Sequence, residues 1–197
     1  MSVNSDVTSM SLLGRAVAED EEAWHQLVHL YGPLVQRWCH SAGLSEEDTA
    51  DVFQDVFQTV AKNLKKFEPR RSVASFRSWL KTICRTKTVD HFRKANRQAT
   101  PTGGTDAQLR IAEVADPFDE ESEEQAASED AFIVQRAMDL IKDEFDPRNW
   151  KAFEQVALHE RSPTDVATEL DVAPQTIRQA NYRIRRRLRL VLEDLVD

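Results

Sequence analysis

FRSWLKTICRTKTVDHFRKANR, residues 76–97, is the stretch on which the reading of this chain turns. Its apolar residues Phe76, Trp79, Leu80 and Ile83 recur at i, i+3, i+4 and i+7, which is one stripe of an amphipathic helix. Beyond Cys84, the positions where that stripe would continue hold Lys87, Asp90 and Lys94. Arg77, Lys81 and Arg85 form a separate basic row at i, i+4 and i+8. The pattern predicts a helix that packs at its start and then outruns its core as a cationic rod. Such a rod adds little stability, and its charge suits a polyanion.

The chain as a whole carries a net charge of -8, which on its own argues against nucleic acid. The distribution of that charge points the other way. Residues 62–97 hold twelve Lys and Arg against two acids, and residues 174–190 hold six Arg and no acid. Residues 1–57 hold ten acids against two Arg, and residues 101–131 hold ten against one. Two basic blocks, each preceded by an acidic one, suggest two nucleic-acid contacts on surfaces that otherwise repel DNA.

At 197 residues the chain has room for one or two domains. A hydrophobic content of 41% is ordinary for a globular protein, and only five glycines argue against a loop-rich β fold. Cys39 and Cys84 sit in helical patterns without a pairing signal, so a reduced compartment and no disulfide are expected. The opening MSVNSDVTSM lacks the basic and apolar regions of a secretion signal, and no apolar run reaches membrane-spanning length. The expected location is the cytoplasm.

Helical periodicity runs from Ser11 almost throughout. Trp24, Leu27, Val28, Tyr31, Leu34, Val35 and Trp38 keep one face across Gly32-Pro33, where the proline should kink the helix or start a second one. Ser45 is a good N-cap, with Asp48 three residues on as an approximate capping box. The next helix places Val52, Phe53, Val56, Phe57, Val60 and Leu64 on one face and Asp51, Gln54, Asp55 and Gln58 on the other. Residues 98–130, with Pro101, Gly103, Gly104, Pro117 and the run DEESEEQAASED, read as a linker. Periodicity resumes with Val134, Met138, Ile141 and Phe145, and Asp146-Pro147 and Ser162-Pro163 each open a helix. A turn at Val172-Ala173 then leads to a last helix from Pro174 that ends in an arginine run, the form of a helix-turn-helix.

Three segments together resemble a known family. DTADVFQDVF, residues 48–57, is similar to the D-A-E-D-L-V-Q-E-V-F signature of bacterial sigma factors of the sigma-70 family. FRSWLKTICRTKTVDHFR resembles the segment that follows it there, and SPTDVATELDVAPQTIRQANYRIRRRLR resembles that family's region 4 helix-turn-helix. Two such regions on a short chain point to the extracytoplasmic-function (ECF) type. The resemblance implies an all-α fold of two helical domains, region 2 over residues 11–98 and region 4 over 131–197, joined by a flexible acidic linker over 99–130. It implies a transcription initiation factor that binds core RNA polymerase and directs it to promoters by recognising −35 and −10 elements and helping to open the latter.

Site residues follow by position. Asp51, Gln54, Asp55 and Gln58 would dock on the β′ clamp helices, their carboxylates and amides pairing with arginines presented there. The β flap is a further implied contact, and an anti-sigma factor a further implied partner. On the −10 side, Arg70, Arg71, Arg77, Lys81, Arg85, Lys87, Arg93 and Lys94 would hold DNA, with residues 67–75 as the loop that captures a flipped base. Trp79 aligns with an aromatic wedge of primary sigma factors but also belongs to the apolar stripe, and both readings stand. Thr86 occupies a position where the family frequently has Asn. On the −35 side, Gln175, Thr176, Arg178, Gln179 and Tyr182 would enter the major groove, and Arg183, Arg185, Arg186, Arg187 and Arg189 would clamp phosphates. Ala173 replaces the usual Ser cap, and Asn181 interrupts the apolar row Ile177, Ile184, Leu188.

Other chemistry is thin. His25 and His29, with Cys39 and His40 further on, superficially resemble a zinc site, but four convergent ligands are needed and these lie on a core-forming helix pair. No Gly-rich phosphate loop, nucleophile elbow or H-E-x-x-H is present, so no metal, cofactor or enzymatic activity is expected. The alternative reading is a stand-alone helix-turn-helix regulator with a helical sensor domain, and a helical nuclease or RNA-modifying enzyme is the third. The regulator gives no reason for the polar strip, and for the enzyme no catalytic constellation is present.

Overall fold

Ser11 starts the first helix by accepting a hydrogen bond from the Gly14 N–H at 3.1 Å, and the same device opens most helices of the chain. Asp20 caps Ala23, Ser45 caps Asp48, Ser122 caps Gln125, Asp146 caps Arg148 and Ser162 caps Asp165. Each satisfies an N–H that the helix itself leaves without a partner. The Ala23 N–H holds the Asp20 carboxyl below the usual carboxylate range, so this cap persists above the ordinary carboxylate pKa and weakens only as pH falls through the lowered one. At Ser45 the hydroxyl also donates to Asp48 Oδ2 at 2.7 Å, closing the expected box side chain to side chain.

The computed structural model describes residues 11–67, 76–99 and 122–192, with backbone alone for 96–99. In chain order the helices are α1 (Leu12–Val17), α2 (Glu21–Ser41), α3 (Glu46–Asn63), α4 (Phe76–Ala99), α5 (Glu123–Ile141), α6 (Pro147–Ala157), α7 (Pro163–Glu169) and α8 (Pro174–Leu192). Short 3-10 turns, Leu64–Lys66 and Lys142–Glu144, extend α3 and α5. The described residues are all-α, as the sequence leads one to expect. None of these helices is long and apolar enough to cross a membrane.

The spine of the first unit is α2, which buries Leu27, Leu30, Tyr31, Leu34, Val35 and Trp38. α3 packs on it with Val52, Val56 and Val60, and α4 with Phe76, Leu80 and Cys84. α2 runs through Gly32-Pro33 as one helix, so the proline does not start a second one. A Cβ at Gly32 would lie 3.3 Å from the Phe53 ring, so a larger residue there would push that ring by a few tenths of an ångström. Pro33 has no N–H to give the His29 carbonyl, the usual i−4 acceptor. Arg136 of α5 supplies the missing donors, from Nε at 3.0 Å and from the guanidinium NH2 at 2.6 Å. A helix from the far half of the sequence thus completes the hydrogen bonding of α2.

α4 stays packed further than the apolar stripe suggests. Thr88 is buried, and His91 lies 3.1 Å from Asp48 at the start of α3, so α4 and α3 run antiparallel along their length. Cys39 and Cys84 meet with their sulfurs 3.8 Å apart, free thiols inside the core. The hydrogen bond to Cys39, and then burial, push the Cys84 thiol well above its ordinary pKa.

The linker expected over 99–130 ends earlier than its composition indicates, because Glu123 to Asp130 form the first two turns of α5. Residues 100–121 lie outside the described structure. The cause is visible: Ser122 caps the helix, Glu123 and Glu124 complement its positive end, and Glu129 is buried rather than solvated. α5 then sets Ile133, Ala137, Met138 and Ile141 into the same core as α2, each Ile contributing about 1.5–3 kcal/mol by burial. The two helical units are therefore packed together, an arrangement the sequence reading did not contain.

The second unit closes with α6, α7 and α8 around Ala152, Val166, Ala167 and Ile177. Between α7 and α8 the chain turns sharply, with Asp171 at φ 52° and the Val172 N–H bonded to the Ala167 carbonyl at 3.0 Å. Asp tolerates that left-handed backbone better than most residues.

Candidate nucleic-acid interface

α8 buries Ile177, Ala180, Ile184 and Val191 along one side. The opposite side then carries Gln175, Thr176, Arg178, Gln179, Tyr182, Arg183, Arg185 and Arg186, and every one of them is exposed. Tyr182 is 67% exposed, unusual for an aromatic and well suited to a base or sugar edge. This face includes the start of the helix, where base edges are within reach of a helix lying in the major groove. Arg189 continues it towards the helix end.

One residue departs from that set. Arg187 falls on the Ala180 side of the helix, seven residues on, and its guanidinium forms a two-point bond to Glu144 at 2.6 and 2.7 Å. It ties α8 to the turn after α5 and is withdrawn from the expected phosphate row. Asn181, buried in the apolar row, donates from Nδ2 to the Ile177 carbonyl at 3.1 Å, while its Oδ1 has no hydrogen-bond partner. The missing Ser cap at Ala173 is offset in part by Pro174 at the first helical position, which removes one unpartnered N–H.

On α3, the expected docking strip is intact. Asp51, Gln54, Asp55 and Gln58 are all exposed at i, i+3, i+4 and i+7, opposite the buried Val52, Val56 and Val60. The strip is polar and acidic, built on a helix rigidly held by α2 and α4, and offers hydrogen-bond acceptors to a cationic partner.

The basic row of α4 divides in two. Arg85, Arg93 and Lys94 are exposed and Lys87 half-buried. Arg77 and Lys81, expected beside them on the surface, are instead 2% and 8% exposed. Their row adjoins the buried Phe76, Leu80 and Cys84, and α5 covers the part of it nearest the helix start. Arg77 donates from one guanidinium nitrogen to Glu129 Oε2 at 2.9 Å, and its Nε lies 2.9 Å from Asp130 Oδ1. Glu129 also accepts from the Trp38 indole N–H at 2.8 Å, and the Lys81 ammonium lies 5.7 Å from the centre of that indole ring. In this arrangement neither cation can reach DNA. Trp79 is half-buried with its ring 4.8 Å from Phe67 and 5.6 Å from Phe76, which favours the packing reading. Thr86 is exposed, its hydroxyl bonded back to the Thr82 carbonyl. Arg70 and Arg71 lie outside the described residues.

Glu129, Asp130 and Arg136 were not singled out by the sequence, and Trp38 was read only as part of the apolar face of α2. An acidic run gives no sign of which carboxylate will be buried. Pro33 inside a helical pattern was a usable signal, since it announces an acceptor in need of a donor. No cluster of His, Cys, Asp and Glu suited to a metal occurs among the described residues.

Residues 27–98 match the family model described as Sigma-70 region 2. Among curated proteins the chain is similar to the ECF RNA polymerase sigma factor RpoE of Cereibacter sphaeroides, 33% identical over 103 residues covering 51% of this chain and 55% of that protein. It is also similar to the RNA polymerase sigma factor CnrH of Cupriavidus metallidurans, 32% identical over 91 residues, 46% of each. The chain spans about half the length of the curated relatives it matches. A solved structure of CnrH in complex with the cytosolic domain of CnrY is 23% identical and covers 90% of this chain and 92% of that one. Its TM-score of 0.38 is too low for the two helix arrangements to be argued from one another.

Proposed function

We propose, from the match of residues 27–98 to Sigma-70 region 2 and the likeness to ECF sigma factors, that the chain is a sigma-70 family factor that recruits core RNA polymerase to promoters. The polar strip of α3 docks on the β′ clamp helices, and the second unit sits by the β flap. The exposed face of α8 reads the −35 element, with Arg178 and the Gln residues on base edges and Arg183, Arg185 and Arg186 on phosphates. The cations of α4 hold the −10 strand as it opens, where stacking and phosphate contacts must offset a few kcal/mol per unstacked base. The protein binds and positions; polymerisation chemistry belongs to the core enzyme. An anti-sigma partner belongs to the same reading, since the relative CnrH is held in complex with the cytosolic domain of CnrY.

The observation that carries this reading is the exposed strip Asp51, Gln54, Asp55 and Gln58 on the same chain as the exposed α8 face. A stand-alone regulator needs the second and has no use for the first. The test is co-purification of the chain with core polymerase, followed by transcription from a promoter library. Stoichiometric capture and initiation at a limited promoter set are expected; binding to a palindromic duplex as a dimer, without polymerase, would favour the regulator.

A further inference from the structure

Cys39 of α2 and Cys84 of α4 bring their sulfurs within 3.8 Å of each other, and both residues are fully buried as free thiols. A single buried cysteine is usually a small apolar filler. Here each thiol has the other as its polar partner, across two different helices. Thr88, one turn along α4 from Cys84, is buried as well, and its hydroxyl has no hydrogen-bond partner of ordinary geometry. Such a group costs stability, and redox chemistry is one of the reasons for which proteins keep it. The hydrogen bond from Cys84, helped by the Thr88 hydroxyl, holds the Cys39 thiol below its ordinary pKa although burial acts the other way. Cys84, pushed upward, keeps its proton. One sulfur is thus prepared to attack and the other to donate.

We propose that Cys39 and Cys84 are a redox site, which hydrogen peroxide converts to a disulfide that staples α2 to α4. The Cys39 thiolate attacks one peroxide oxygen; an S–O bond forms, the O–O bond breaks, and the hydroxide released takes a proton to become water. The Cys39 sulfur, oxidised by two electrons, is then a sulfenic acid. Cys84 attacks it; the S–S bond forms, the S–O bond breaks, and the Cys84 proton leaves with the hydroxyl as a second water. The sulfurs close from 3.8 Å to about 2.0 Å, a movement of the size that side-chain rotation supplies. Peroxide is small and uncharged and enters through local opening of the packing, which keeps bulky thiol reagents out. Cys39 and Cys84 stand 45 residues apart with all of α3 between them, so the cross-link removes freedom from the unfolded chain. The oxidised protein is therefore harder to unfold. This chemistry does not depend on whether the chain binds polymerase.

The test treats the folded full-length chain with hydrogen peroxide and follows it by non-reducing intact mass and peptide mapping. Wild type should lose the mass of two hydrogen atoms, yield a Cys39–Cys84 peptide within one chain, and regain its thiols with dithiothreitol. Its urea midpoint should rise on oxidation and fall back on reduction. In Cys84→Ser the sulfenic acid has no resolving thiol, so dimedone should trap it on Cys39. Cys39→Ser should give little adduct. Thr88→Val, which keeps the shape and removes the hydroxyl, should slow disulfide formation several-fold with the native fold retained. Equal trapping in the two serine variants would remove Cys39 as the attacking sulfur. Thiols that survive peroxide in folded wild type and oxidise only above the urea midpoint would overturn the proposal, as would a disulfide formed between chains. Because those readouts use wild type, poor folding of a variant leaves the test intact.

Discussion

Arg178 and Arg186 share the exposed face of α8 but differ in position along it. Arg178 lies in the first turns of the helix and Arg186 two turns further on. A residue that pairs with a base edge discriminates by about 1–3 kcal/mol at one position, whereas a phosphate contact strengthens all sequences alike. Arg178→Ala should therefore change the preference among −35 duplex variants, and Arg186→Ala should weaken them uniformly and lower the salt slope by about one unit. Unchanged relative affinities in Arg178→Ala would remove base reading from that residue. Asn181 makes a second prediction at this scale. Its Oδ1 is buried without a partner, a cost of about 1–3 kcal/mol that an apolar residue of similar size does not carry. Asn181→Leu should raise the urea midpoint, and a lower midpoint would mean that the Nδ2 bond to Ile177 outweighs the orphaned oxygen.

Elements were legible where a local rule governs them. The caps at Ser45, Asp146 and Ser162, the turn before Pro174 and the two faces of α3 all follow from short spacings in the sequence. The buried half of the α4 basic row was not legible, because its partners Glu129 and Asp130 lie 52 and 53 residues away. Nothing in DEESEEQAASED separates the carboxylate that is buried from those that are solvated. α2 carries the sharpest test of how distant elements complete each other. In wild type, Arg136→Ala leaves the His29 carbonyl without its side-chain donors. In a Pro33→Ala background the helix supplies the missing N–H, so the same change should cost less, by about 0.5–1.5 kcal/mol. Urea unfolding of the four proteins in that cycle measures the difference; equal costs in both backgrounds would mean that the bond to His29 contributes nothing beyond the packing of Arg136.

For the whole molecule, the segregation of charge was readable from composition, and its consequence was read in part. The basic residues from Arg77 to Lys94 and from Arg178 to Arg189 do lie on separate helices, α4 and α8, and the acidic strip of α3 stands on its own exposed face. The acidic segment after residue 121 does more than its composition implied, since it folds back onto the first basic block. One chain thus carries an exposed acidic strip on α3 and an exposed basic face on α8, while part of the α4 basic row is covered. The central claim is that the α3 strip docks this chain on core polymerase, and the affinity of Asp51→Lys/Asp55→Lys for core enzyme tests it most directly. Both side chains are exposed, so helical content and urea midpoint should match wild type. Affinity should fall by about 2–5 kcal/mol, from roughly thirtyfold upward, as expected when paired charges are reversed. Wild-type affinity in that folded double variant would contradict the account.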